Sequence, residues 1–117
     1  MSDYNRPPGS TTVSPGVLMT IAKMAALGVP GVKAVGKPNA SRNRFVRRHA
    51  LDGVRLAASD DVISGDMHLV VTAGMNVREV CREVQQQVAR ALQEMTGMTV
   101  ARLDIHVEDI DYEGTEA

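Results

Sequence analysis

The chain has 117 residues, long enough for one domain with a real core and too short for two. One cysteine, Cys81, and three histidines exclude an internal disulfide framework and zinc-finger ligand spacing, and a net charge of -1 gives no overall bias toward nucleic acid. The three aromatic residues, Tyr4, Phe45 and Tyr112, all fall outside the predicted elements, which leaves Val, Leu, Ile, Met and Ala to fill the core.

Residues 1–12 contain Asp3, Arg6, Pro7 and Pro8 and no apolar run. They read as a disordered lead, neither signal peptide nor membrane anchor. Ser14-Pro15 then starts a helix, a serine cap followed by proline where its missing N–H costs nothing. The helix is predicted over 15–27, with Val17, Leu18, Ile21, Met24 and Ala25 on its buried face and Lys23 outside. Gly28, Pro30 and Gly31 end it, and Val32 to Val35 is a short candidate strand. The apolar stretch from Val13 to Ala22 falls short of the ~18 residues that span a bilayer, so the expectation is a soluble cytosolic protein.

From 36 to 52 the periodicity is lost. Lys37, Arg42, Arg44, Arg47, Arg48 and His49 make this a long basic loop, of a length usually functional or disordered. A basic loop with Phe45 inside it can contact phosphates and stack on a base, which supports a nucleic-acid-binding α/β domain using residues 37–49 as an alternative function. The plainer reading, a solvated loop, has equal standing on these residues.

Gly53 opens a strand with Val54, Leu56 and Ala58 on one face. Ser59-Asp60-Asp61 supplies turn chemistry, and 62–73 returns with Ile63, Met67, Leu69 and Val71 in phase against Asp66, His68 and Thr72. Gly65 sits on the apolar phase and marks a bulge or a weak start to the pairing. Gly74 breaks the strand, and Asn76 caps the longest helix, whose Val77, Val80, Val84, Val88, Ala91, Leu92 and Met95 recur at helical spacing. Gly97 stops that helix in the left-handed conformation, and Met98 is expected to fold back on its last turn, onto Leu92. The period then changes to two: Ala101, Leu103, Ile105 and Val107 alternate with Arg102, Asp104, His106 and Glu108, and the run continues to Ile110.

These elements specify an α/β fold of the two-layer α+β kind: a small mixed sheet of about four strands with two helices on one face, in the order α-β-β-β-α-β. The crossover from the 62–73 strand through the long helix to the last strand is long enough to be parallel; the other pairings are expected to be antiparallel. The domain spans 13–110, followed by an acidic tail at 111–117. Charge is uneven, +7 up to Ala50 and -8 from Leu51 onward, which suits a head-to-tail contact between copies.

No catalytic, metal-binding or cofactor-binding residue emerges. Cys81 has no histidine near it in sequence and reads as a half-buried structural cysteine. His68 and His106 share an outward phase but find no third ligand in phase beyond Asp66 or Asp104. The carboxylates of 60–61 and 108–113 sit in a turn and a tail, where nothing separates their pKa values.

The segments Val29-Pro30-Gly31-Val32, 53–74, and above all REVCREVQQQVARALQEMTGM with the alternating strand after it resemble the alkaline shock protein family of bacterial envelope stress response proteins. The departures are Cys81, where a small residue is usual, and Gly65, where an apolar one is. The resemblance implies a non-enzymatic cytosolic protein of cell-envelope homeostasis that self-associates and is held near the membrane by a small membrane-anchor partner. Candidate contact residues are Arg42, Arg44, Arg47 and Arg48 in the loop and Arg78, Arg82, Gln85, Gln86 and Gln93 on the long helix.

Overall fold

The computed structural model describes residues 12–36 and 53–112. The basic loop with Arg42, Arg44, Arg47 and Arg48, nearly all of the amino-terminal lead and most of the acidic tail lie outside the described residues. The element order is α1 (Pro15–Leu27), β1 (Val32–Val35), β2 (Val54–Ser59), β3 (Val62–Thr72), α2 (Val77–Thr96) and β4 (Thr99–Asp111).

β3 is the centre of one four-stranded mixed sheet. β1 and β2 lie end to end along one of its edges, both antiparallel, with Val35 opposite Leu69 and Val54 opposite Met67. β4 runs parallel to β3 along the other edge, from Val62↔Thr99 to Thr72↔Asp111. The α2 crossover therefore makes the parallel pair, as the sequence predicts. β1 and β2 meet at His68, whose carbonyl accepts from the Gly36 N–H while its own N–H donates to the Gly53 carbonyl. Two glycines thus share the bonds that one residue would make in an unbroken strand. A side chain on Gly53 would sit on the Gly36 backbone, 2.5 Å from its nitrogen, and both residues have positive φ.

Both helices pack on the face of the sheet carrying the odd-numbered β3 residues. Ile63, Met67, Leu69 and Val71 are fully buried there against Val84, Val88 and Leu92 of α2 and Leu18, Ala22 and Ala26 of α1. Both ends of α2 are capped as expected: Asn76 Oδ1 accepts from the Glu79 N–H at 3.0 Å, and Gly97 adopts φ 75°. Met98 is half-buried against the core.

Four local readings need correction. The buried face of α1 is Leu18, Ala22 and Ala26, whereas Val17 is 48% and Met24 68% exposed. Apart from Lys23 and Thr20 the helix is nonpolar all round, so the pattern could not choose a face; the small alanines choose it by letting α1 sit close. Met95, at the end of the α2 stripe, is 69% exposed. Gly65 is not a bulge, because β2 and β3 pair in unbroken register from Val54↔Met67 to Ser59↔Val62. The register shifts lie on the β4 side, where Ala101 and Glu108 are extra residues, so Val100 rather than Ala101 stands opposite the buried Ile63.

Candidate interaction surface

The even-numbered residues of β3 face away from the helices, and their neighbours on β2 and β4 complete an open polar face. Arg55 stands opposite Asp66, and Asp66, His68 and Thr72 stand opposite Asp104, His106 and Asp111. Two carboxylates directly opposed across a ladder repel each other, so counter-charges must be supplied. Arg102 binds Asp104 through Nη2 at 2.8 Å and Nε at 3.0 Å, and His106 Nε2 lies 3.1 Å from Asp66 Oδ1. Further along, Lys33 reaches Asp111 at 3.7 Å, and His68 Nδ1 pairs with Glu108 Oε2. The hydrogen bond that Arg102 donates to Asp104, and then the Asp104 charge, raise the guanidinium pKa further above its already high range.

The two imidazoles are stacked, with centroids 4.8 Å apart and planes inclined by 20°. Each is held by a different carboxylate, Glu108 for His68 and Asp66 for His106. Among the described residues no three His, Cys, Asp or Glu side chains converge as metal ligands. A shallow depression lies beside this cluster, over Gly65, rimmed by Arg55, Ser64, Asp66, Arg102 and Asp104. Cys81 is half-buried on α2, and its burial pushes the thiol pKa up, away from the thiolate that nucleophilic chemistry needs.

The α2 residues singled out from the sequence, Arg78, Arg82, Gln85, Gln86 and Gln93, are all exposed. Gln85 donates to the Leu103 carbonyl at 2.9 Å, and Gln93 accepts from the Thr99 hydroxyl at 3.4 Å, so these two tie α2 to β4. On the other side of the molecule α1 presents an apolar row that the sequence reading had partly placed in the core. Val17, Met24 and Leu27 are 48, 68 and 43% exposed, and Met24 borders a groove closed by Val29, Pro30, Glu83 and Gln87. The signal in the sequence was the lack of polar residues on α1, not its periodicity.

Comparison with known proteins places this architecture. Residues 4–112 match the alkaline shock protein 23 family, described as having a cell envelope-related function. The uncharacterized protein YqhY of Bacillus subtilis (strain 168) is 30% identical over 107 residues, covering 90% of this chain and 79% of that protein. An uncharacterized protein of Streptococcus pyogenes serotype M6 is 25% identical over 114 residues, covering 94% of each. Among solved structures, a cadmium form of a MamM CTD variant aligns with a TM-score of 0.58 at 19% identity, covering 84% of this chain and 100% of that one. A second MamM CTD variant gives 0.55 at 22% identity, covering 80% and 94%. At these identities the likeness is one of fold.

Proposed function

The chain belongs to the alkaline shock protein 23 family, of cell envelope-related function, and from that membership we propose that it is a non-enzymatic, cytoplasmic scaffold. It self-associates and is held at the membrane by a small membrane-anchor partner. The observation that carries the docking is the apolar row on α1. A helix nonpolar around nearly its whole circumference is normally covered on both sides, and here, among the described residues, Val17, Met24 and Leu27 are left 48, 68 and 43% exposed. A short apolar segment of an anchor protein fits that row. Among the described residues no helix is long and apolar enough to cross a membrane, and the attachment proposed is through the partner.

The test is fractionation of cells carrying the tagged chain, native or with Met24→Glu. The native chain should sediment with membranes, resist nuclease, and leave with one small membrane protein on detergent extraction. Purified native chain should not bind protein-free vesicles. Met24→Glu should move it to the supernatant with an unchanged melting temperature, because Met24 is exposed. A native chain that stays in the supernatant, or binds protein-free vesicles directly, would sink the anchor reading. Release by nuclease would instead favour nucleic acid, although the described sheet face offers phosphates little: Asp66, Asp104, Glu108, Asp109 and Asp111 outnumber Lys33, Arg55 and Arg102 there.

A further inference from the structure

Among the described residues no strand pairs with the edge of β4 that faces away from β3, and that edge is thirteen residues long. An open edge is a template for another strand, and the side chains along it decide which strands fit. Here the side chains of β4 complement β4 itself. Read antiparallel about Ile105, Asp104 meets His106 of a second copy and Arg102 meets Glu108, all four on the polar face. On the face under the helices Leu103 meets Val107, Val100 meets Ile110, and Ile105 meets its own counterpart.

Neighbouring registers lack this property. With the axis at Asp104, that carboxylate opposes itself; with the axis at His106, Asp104 opposes Glu108. An axis between two residues sets polar-face side chains against apolar-face ones, because strand residues alternate sides. Only the Ile105 register opposes unlike charges at both polar positions while keeping every apolar residue on one face.

We propose that β4 pairs antiparallel with β4 of a second copy about a two-fold axis at Ile105, joining the two sheets into one continuous sheet. This rests on the self-association reading above and specifies its surface. It replaces the head-to-tail contact suggested by the charge halves with a contact in which both copies use the same strand. Glu108 holds His68 through Oε2 and would serve Arg102 of the second copy through its other oxygen. Arg102, now on Asp104 of its own strand, comes to lie between that carboxylate and Glu108 of the second copy. The Gln85 amide occupies one of the two lone pairs of the Leu103 oxygen and leaves the other for a strand partner.

The experiment is sedimentation equilibrium of the full chain with a charge swap. Arg102→Glu alone and Glu108→Arg alone each set like charges against each other at two symmetry-related places and should weaken association roughly tenfold. The double variant restores unlike pairs and should return to within about threefold of native. As a second measurement, in a Cys81→Ala background, Asp104→Cys is mixed with His106→Cys under mild oxidation. Directly opposed Cα atoms lie ~4.5–5.5 Å apart, inside disulfide range, whereas diagonal neighbours at ~7–8 Å do not reach. The mixture should cross-link, and neither variant alone should.

A native chain that associates but ignores Arg102→Glu, or a double variant as weak as the singles with no cross-link in the mixture, overturns the β4 contact and leaves self-association standing. A native chain that remains monomeric overturns both.

Discussion

Gly65 offers a test in which the sign of the effect decides between two explanations. If it only weakens the start of a strand, Gly65→Ala should stabilise the protein by about 0.5–1 kcal/mol, by reducing the freedom of the unfolded chain. The geometry says otherwise. An added Cβ would lie 2.7 Å from Leu56 Cδ2 and 2.9 Å from Leu56 Cα, and closer still to the Arg55 carbonyl oxygen. Two of these three neighbours are backbone and belong to a strand in unbroken register with β3, so relief requires β2 to move as a unit. Overpacking typically costs about 1–3 kcal/mol, and backbone neighbours place this site at the upper end. Set against the entropic gain, the net expectation is a loss of about 2–3 kcal/mol, or roughly 10–20 °C in melting temperature for a domain of this size. Thermal and urea unfolding of the full chain measure it. Gly74→Ala is the control: nothing lies within 4 Å of its added carbon, its φ is +91°, and it should cost only about 1 kcal/mol of backbone strain. A Gly65→Ala variant as stable as native would show that β2 does not press on β3 and would refute the reasoning.

Other expectations follow from burial and backbone geometry. Leu92→Ala empties a fully buried site and should cost about 2–5 kcal/mol, while Met95→Ala, three residues further along the same stripe, should stay within about 0.5 kcal/mol by urea titration. Asp60 and Asp61 both have positive φ, 53° and 65°, in a two-residue hairpin between Ser59 and Val62. Asp61→Gly should therefore raise stability by about 1 kcal/mol, seen as a melting point about 5 °C higher. The Cys81 thiol is pushed up by burial, so thiolate forms first in the unfolded chain. Stability it contributes is present below the ordinary thiol pKa and falls as pH rises above it. Between pH 8 and 10 the urea midpoint should drop more for native than for Cys81→Ala.

How far the fold was legible depended on how strongly each segment discriminates between its own faces. α2 does so at nearly every turn, and its caps and buried residues from Val80 to Leu92 follow the pattern. α1 has one charged residue, so its periodicity left the face open; Ala22 and Ala26 set it through close packing that spacing does not encode. The alternation from Ala101 to Val107 identified a strand but not where register is lost. Opposite β3 an extra residue at Ala101 brings Val100 into phase, and that depends on the partner strand. His68 and His106 were placed on one face by phase alone. That their rings stack while each holds a different carboxylate required the parallel register His68↔His106. The self-complementarity of β4 is written in eleven consecutive residues, yet it has meaning only because no strand among the described residues pairs with that edge.

The meeting of Gly36 and Gly53 at His68 has a consequence for how this fold tolerates change. Because Gly36 and Gly53 meet at one rung, the ladder on either side of His68 is aligned by these two residues, whatever sequence lies between them in the chain. The number and composition of the intervening residues are thereby uncoupled from strand register. Substitutions or insertions between Gly36 and Gly53 should therefore leave strand alignment unchanged, because that alignment is set by the bonds the two glycines make to His68.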